Sequence, residues 1–268
     1  MTDRLPDRRV PLASAPNMRD LGGIPVPGGV VKPGLLYRSA SLAKLDARDE
    51  TAFAELGITT VYDLRTAAER DGEPDRLPEG TRSVWFDVVA DAPDNVAASI
   101  PALLADPASL EDLLGGGRAV GYLADANRMF VSSRSALAAY RLFYLDLIDE
   151  RRTGAALFHC TTGKDRTGWA AASFLLLLGA SEDDVRTDYL ETNTDLAPAL
   201  RPMLDMLEAK GVDRELLQPI LGVRDSYLDA ALDELRRRYG TIEDYARNGL
   251  GLTDRQIAAL RTRFVGTA

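Results

Sequence analysis

The chain of 268 residues has one cysteine and one histidine, and only four of its 32 basic residues are lysines. One cysteine excludes an intrachain disulfide framework, and one Cys with one His cannot supply the ligands of a Cys/His zinc site. The 41 acidic residues leave a net charge of −9, whereas proteins that bind nucleic acids or anionic membranes present a basic face. We therefore expect no metal, no cofactor and no nucleic-acid partner.

Long hydrophobic runs are also missing. The first twenty residues have no apolar core of signal-peptide length, and the longest apolar run, residues 169–180, is too short to span a bilayer. The sequence predicts a cytoplasmic protein without stable membrane insertion. Export by a route without a cleavable signal stays open, as does the oligomeric state.

Apolar segments typical of strands alternate with helix-like segments in the first part of the chain. This order predicts a single α/β domain over residues 1–268, with a central, mainly parallel sheet flanked by helices and a helical C-terminal region from residue 181. The predicted strands are residues 35–40, 58–65, 83–89 and 154–159, and the predicted helices include those starting near residues 46, 134 and 167.

Residues 91–133 interrupt this pattern. The sequences DAPDN, DPAS and GGG break the periodicity, and short helices fit between them. Long segments of this kind inside a compact domain are commonly functional. We therefore expect a helical insertion here that acts as a lid.

The only cysteine and the only histidine are neighbours in LFHCTTGKDRTGW, residues 157–169. The segment runs from a predicted strand through a short loop into a predicted helix. A loop at a helix N-terminus presents backbone N–H groups to an anion, and Arg166 can grip two phosphate oxygens. The same positive field lowers a thiol pKa from about 8.5 to roughly 3.5–7.5, so we expect Cys160 to be a thiolate at neutral pH.

The spacing C-x5-R-T after a histidine resembles the phosphate loop of cysteine-dependent protein tyrosine phosphatases. HCTTGKDRTG is most similar to the loop of the bacterial group that includes mycobacterial tyrosine phosphatase B. NMRDLGG at 17–23, YRSASL at 37–42, residues 63–65 and LGVRDSYL at 221–228 also resemble that group's landmarks, in the same order.

The resemblance implies a role for each loop residue. Cys160 would be the nucleophile that forms a cysteinyl-phosphate, Arg166 would hold the phosphate oxygens, and His159 would order the loop. The remaining predicted contacts to the phosphate are the backbone N–H groups from residue 161 to residue 166, and Thr167 is predicted to hydrogen-bond the thiolate. The predicted substrate-binding residues are Thr161, Thr162, Gly163, Lys164 and Thr167.

A general acid must protonate the leaving oxygen. Asp165 in the loop is the first candidate, and Asp87 and Asp91, which follow a predicted strand, are its rivals. Lys164 stands out in a chain poor in lysine. It predicts either a second phosphate subsite, as in loops that handle phosphoinositides, or electrostatic support of the loop.

The family implies a phosphorylated protein or peptide as substrate, with phosphotyrosine first. Phosphoserine, phosphothreonine or a phosphoinositide is the broader alternative, and an inactive phosphate-binding module is the alternative of a different class. Two interpretations are open for Arg19, Asp20, Arg38 and Arg65: contacts that support the site or bind the substrate, or surface ion pairs and loop anchors. Tyr122, Phe130 and Tyr140 are predicted to pack between helices.

Overall fold

The computed structural model describes residues 5, 7–92 and 114–267, and its centre is a five-stranded sheet. In chain order the strands are β1 (Arg19–Asp20), β2 (Pro25–Val26), β3 (Gly29–Val31), β4 (Leu36–Ser39), β5 (Ile58–Asp63), β6 (Arg82–Trp85), β7 (Ala155–His159) and β8 (Val265–Gly266). The central sheet has the order β1-β4-β7-β5-β6. Strand β1 is antiparallel to β4, and the other neighbours are parallel, which confirms the predicted mainly parallel sheet.

A second, small sheet joins the two ends of the chain. Strand β3 pairs antiparallel with both β2 and β8. Its register aligns Val30 with Gly266 and Val31 with Val265. The C-terminal segment is thereby tied to the hairpin that lies between β1 and β4 in the chain.

Helices cover the sheet and form the C-terminal region, as predicted. They are α1 (Ala47–Glu55), α2 (Ala67–Gly72), α3 (Arg118–Ser132), α4 (Arg134–Leu147), α5 (Arg166–Leu178), α6 (Glu182–Ala209), α7 (Arg214–Leu221), α8 (Asp225–Tyr239) and α9 (Asp254–Phe264). Helix starts follow the capping residues in the sequence: Asp46, Ser181 and Thr253 accept hydrogen bonds from the first backbone N–H groups of α1, α6 and α9.

The central strand β7 is buried along its whole length because both faces of the sheet are covered. Its side chains alternate between two hydrophobic clusters. Ala155 and Leu157 pack on the side of α1, whereas Ala156 and Phe158 pack on the side of α4 and α5. This burial fixes the end of β7, where the candidate site begins.

The predicted insertion at 91–133 is only partly described by the structure, since residues 93–113 lie outside the described residues. Its last part is helix α3, which contributes Leu123, Phe130 and Val131 to the core. Tyr140 is also buried as predicted, but Tyr122 is exposed, because it lies on the outer face of α3. The lid role of the insertion stays a prediction.

Among the helices of the described ranges, none is long and apolar enough to cross a membrane. The apolar run at 169–180 belongs mainly to α5, which has 13 residues and is almost entirely buried within the protein. Its hydrophobicity is therefore explained by core packing.

Candidate active site

Cys160 lies directly after β7, at the carboxyl end of the central strand. The side chain is buried, and helix α5 begins six residues later at Arg166. Strand β7 is hydrogen-bonded on one side to β4 and on the other to β5. The loop between Cys160 and Arg166, called here the phosphate loop, is therefore held by a rigid strand and by a helix N-terminus, which favours anion binding.

The pKa of the Cys160 thiol is lowered although the side chain is buried. Burial by itself raises a thiol pKa because it penalises the charged form. The positive charge of Arg166 and hydrogen bonds from the hydroxyl and backbone N–H of Thr167 outweigh that penalty. The Cys160 thiol therefore ionises more readily than an ordinary cysteine, which favours the thiolate.

The first two carbonyl groups of the phosphate loop are hydrogen-bonded by groups outside it. Nδ1 of His159 lies 3.0 Å from the carbonyl oxygen of Cys160, and since a carbonyl only accepts, Nδ1 carries the proton. The backbone N–H of Ser41 donates to the carbonyl of Thr161 at 3.0 Å. Both groups belong to the strand ends that surround the loop.

The next two carbonyl groups are bound in the same manner. Nδ2 of Asn17 donates to the carbonyl oxygens of Thr162 and Gly163, each at 3.0 Å. Nη2 of Arg38 donates to the carbonyl of Gly163 at 2.8 Å. Asn17 belongs to the NMRD motif and Arg38 to the YRSA motif, so both landmarks of the sequence contact the phosphate loop.

These anchors determine where the loop N–H groups point. In a planar trans peptide the C=O and the following N–H point in opposite directions. Four consecutive carbonyls are held from outside, from residue 160 to residue 163. The N–H groups of residues 161–164 therefore point away from these anchors, which makes them candidates for the cradle of an oxyanion.

Gly163 is required by the close approach of the loop to β4. Its φ is +66°, and a Cβ atom there would lie 2.1 Å from the carbonyl oxygen of Ser39. Only glycine accommodates both the left-handed conformation and this contact. The Gly in the loop sequence is thus explained by packing against the end of β4.

Arg166 is held by a carboxylate that the sequence analysis did not single out. Its Nη1 and Nη2 donate to Oε2 and Oε1 of Glu69 at 2.6 and 2.7 Å. Oγ1 of Thr161 donates to the same carboxylate at 2.5 Å. Burial raises the pKa of Glu69, but Arg166 and Thr161 outweigh this effect and hold it well below its usual range.

His159 belongs to a buried cluster with Asp63, Asp75 and Arg65. Asp63, Asp75 and His159 have ligand atoms within 4.8 Å of one another, as in a metal site. However, Arg65 donates to both oxygens of Asp63 at 2.9 Å and lies 3.0 Å from Asp75. Because a guanidinium already pairs with both carboxylates, we interpret the cluster as an ion-pair network.

In this network Nε2 of His159 lies 3.1 Å from Oδ2 of Asp75. Burial lowers the pKa of His159, but Asp75 and Asp63 outweigh it and the net pKa is raised. The imidazole thus lies between the carbonyl of Cys160, to which Nδ1 donates, and the carboxylate of Asp75, which is within ion-pair distance of Nε2. It contacts the loop through that carbonyl.

Lys164 contacts helix α7 and lies beside Asp165. The buried Lys164 amine donates to the carbonyl of Ile220, at the end of α7, and lies 3.5 Å from Oδ2 of Asp165. Oδ1 of Asp165 is buried and has no hydrogen-bond partner among the residues that the structure describes. The Lys164 amine is thus hydrogen-bonded to the protein itself, whereas Oδ1 of Asp165 accepts no hydrogen bond from the described residues.

The rival acids Asp87 and Asp91 differ in environment. Burial raises the pKa of Asp87. The hydrogen bond from the N–H of Val89 and the positive charge of Arg166 lower this pKa and offset part of the rise. Asp91 accepts hydrogen bonds from the hydroxyl and backbone N–H of Ser135, which lower its pKa. Asp91 is therefore hydrogen-bonded to the first turn of α4, whereas Asp87 lies close enough to Arg166 to interact with its charge.

The structure brings the predicted loop residues together around one cradle. The interpretation as surface ion pairs is wrong for Arg19, Arg38 and Arg65, which are buried. Asp20 is a loop anchor, since its carboxylate accepts from the N–H groups of Gly22 and Gly34.

The residues missed by sequence reasoning are Asn17, Glu69, Asp75 and Asp188. A signal existed for Glu69, because Thr66 and Glu69 have the spacing of a capping box.

Comparison with known proteins gives concordant matches. The model of the tyrosine phosphatase family matches residues 10–266. A Cupriavidus necator protein whose name places it among the tyrosine-protein phosphatases is 32% identical over 253 residues, which cover 93% of this chain and 85% of the relative. The triple specificity protein phosphatase PtpB of Mycobacterium tuberculosis is 30% identical over 282 residues, covering 95% of this chain and 98% of that protein.

A tyrosine-protein phosphatase of Nostoc commune is 27% identical over 231 residues, which cover 84% of this chain and 72% of the relative. The family match spans almost the entire chain, including both the strands of the central sheet and the phosphate loop. The chain therefore belongs to the tyrosine phosphatase family of enzymes.

Proposed function

We propose that this enzyme hydrolyses phosphate monoesters through a cysteinyl-phosphate on Cys160, with phosphotyrosine in a protein or peptide as its first substrate. The observation that carries the proposal is the lowered pKa of Cys160 at the mouth of an N–H cradle. A nucleophile and an oxyanion receptor are thereby available in the same loop.

In the first step the Cys160 thiolate attacks phosphorus. The S–P bond forms while the ester O–P bond breaks, and the leaving oxygen takes a proton from Asp165. Arg166 and the N–H groups of the loop compensate the charge on the phosphate oxygens, which is the stabilisation that a metal ion supplies in other phosphatases.

In the second step water attacks the cysteinyl-phosphate. Asp165, now deprotonated, accepts a proton from that water, the S–P bond breaks, and inorganic phosphate and the thiolate are released. Asp165 is supported by its place in the loop and by its uncommitted Oδ1. Asp87 is the alternative, supported by its raised pKa beside Arg166.

The breadth of the substrate range is a separate proposal. The relative from Mycobacterium tuberculosis is named a triple specificity protein phosphatase, and on that likeness we extend the proposal to phosphoserine, phosphothreonine or a phosphoinositide. In the observed arrangement Lys164 donates to the carbonyl of Ile220, which favours its role as support of the loop over a second phosphate subsite.

Hydrolysis of p-nitrophenyl phosphate tests the proposal. We expect turnover that is unaffected by EDTA, abolished by thiol alkylation and absent in Cys160→Ser, with phosphate binding retained in that variant. Loss of turnover on chelation, or full activity of Cys160→Ser, would refute the mechanism. Phosphate binding by the wild type without any turnover would instead favour the inactive phosphate-binding module.

A further inference from the structure

A buried charge network lies behind the phosphate loop, on the side opposite the cradle. Its centre is Asp188 on α6, whose carboxylate contacts three arginines from the N-terminal part of the chain. We propose that Asp188 is a positioning residue that fixes the shape of the phosphate loop through Arg38 and through the pair Arg19–Asn17. This inference rests on the proposed function, because it assigns these residues to the same oxyanion site.

The first connection runs through Arg38. Its Nη1 donates to Oδ2 of Asp188 at 2.7 Å, and its Nη2 donates to the carbonyl of Gly163 at 2.8 Å. The guanidinium is fully buried. One planar group thus joins the Asp188 carboxylate to the loop carbonyl, and the orientation of that group is set by the carboxylate.

The second connection runs through Arg19 and Asn17. Nε of Arg19 donates to Oδ1 of Asp188 at 3.1 Å, and its Nη1 donates to Oδ1 of Asn17 at 2.5 Å. Because the amide oxygen of Asn17 accepts from Arg19, its nitrogen is directed at the carbonyls of Thr162 and Gly163. Asp188 therefore contributes to the amide orientation through Arg19, together with Thr192 and Asp195, which also accept from Arg19.

The charges explain why Asp188 is needed. Arg8, Arg19 and Arg38 all lie within 3.1 Å of its carboxylate oxygens. Burial and the neighbouring Arg19 lower the pKa of Arg38 to about 10, and Asp188 opposes that effect. Without the carboxylate, three neighbouring buried cations would lose the negative charge that they share, and Arg38 would lose the acceptor of its Nη1. Arg19 would keep the backbone carbonyl of Asp188, Thr192 and Asp195 as acceptors, so the larger displacement is expected at Arg38.

The loop N–H groups depend on this network. The carbonyls of Thr162 and Gly163 receive their external hydrogen bonds from Asn17 and Arg38. If these donors move, the two peptide planes are free to rotate, and the N–H groups of residues 163 and 164 no longer converge on the oxyanion. The consequence is weaker oxyanion binding, although the thiolate persists because Arg166 and Thr167 are separate from the network.

The test compares Asp188→Asn and Arg38→Lys with matched controls at a remote ion pair. Asp146 accepts from both Nη atoms of Arg82 at 2.8 Å, so Asp146→Asn and Arg82→Lys are the corresponding changes. The measurement is the competitive inhibition constant of inorganic phosphate against p-nitrophenyl phosphate, together with the pH dependence of Cys160 alkylation. Lysine keeps the charge of Arg38 but cannot bridge Asp188 and Gly163 as the planar guanidinium does.

We expect the inhibition constant to rise about tenfold or more in both network variants and to stay within about twofold in both controls. The pKa of the Cys160 thiol should not rise in Asp188→Asn, because a nearby negative charge is removed. An inhibition constant is a property of the folded molecules, so partial unfolding cannot produce the expected change. If Asp188→Asn does not fold, Arg38→Lys decides alone.

An inhibition constant within about twofold of the wild type in the folded network variants would overturn the inference. Failure of the proposed function is visible separately in the wild type, as turnover that does not depend on Cys160 or is not inhibited competitively by phosphate. If turnover of the wild type depends on Cys160 and is inhibited competitively by phosphate, the network variants test the role of Asp188 alone.

Discussion

The carboxylate of Glu69 accepts two hydrogen bonds from the guanidinium of Arg166, with N···O distances of 2.6 and 2.7 Å. The same carboxylate accepts from the backbone N–H and the hydroxyl of Thr66 at 2.9 Å, which completes the capping box of α2. One side chain thus fixes the start of a short helix and the orientation of Arg166, the proposed phosphate-binding arginine. The order of α2 and the geometry of the cradle are therefore linked.

We predict that Glu69→Gln lowers kcat/KM for p-nitrophenyl phosphate by about tenfold to hundredfold, because a bidentate ion pair is replaced by a single hydrogen bond from Arg166 to an uncharged amide oxygen. Glutamine still completes a capping box, so α2 should persist. Steady-state kinetics with Asp71→Asn as control is the measurement, since Asp71 is an exposed acid on the same helix. Equal kcat/KM in both variants would contradict the role of Glu69.

Thr167 is predicted to set the pKa of Cys160. Its hydroxyl is buried without a nitrogen or oxygen partner in the described part of the chain, and its hydrogen bonds stabilise the thiolate, which lowers the pKa. Thr167→Val removes the hydroxyl and should shift the pKa upward, whereas Thr167→Ser should not. The rate of iodoacetamide reaction as a function of pH measures this, and coincident profiles for the two variants would exclude the hydroxyl effect.

Gly163→Ala should abolish the cradle. The added Cβ meets the Ser39 carbonyl at 2.1 Å, so the loop must shift, and displacement of a reacting group by about 1 Å costs on the order of hundredfold in rate. Gly57→Ala is the matched control, because Gly57 has φ +64° but no atom near its Cβ position. Both variants should lose thermal stability from the left-handed strain, yet only Gly163→Ala should lose kcat per folded molecule.

Asp165 as the general acid predicts a dependence on the leaving group. Asp165→Asn should slow the hydrolysis of phosphotyrosine peptides by about 10²–10⁴-fold, and that of p-nitrophenyl phosphate less, because a nitrophenolate needs less help from a proton donor. The same losses in Asp87→Asn or Asp91→Asn, with Asp165→Asn unaffected, would transfer the role to that residue.

The sequence predicts the fold and the loop well because each depends on local patterns. The strand before Cys160 is apolar, the helix after it is apolar, and the spacing from Cys160 to Arg166 is sufficient to recognise the site. The side chains that contact these residues are harder to predict from the sequence, because they come from distant segments of the chain. Nothing local relates Asp188 to Arg38 or Glu69 to Arg166; their proximity arises from the sheet order and from the packing of α6 and α2.

Trapping of the covalent intermediate tests the central claim most directly. The enzyme is mixed with p-nitrophenyl phosphate, quenched with acid during turnover and analysed by peptide mass spectrometry. We predict a phosphoryl group on the peptide that contains Cys160, absent in Cys160→Ser. Turnover by the wild type with no phosphoryl group on Cys160 in the quenched samples, or with the group on another residue, would contradict the mechanism.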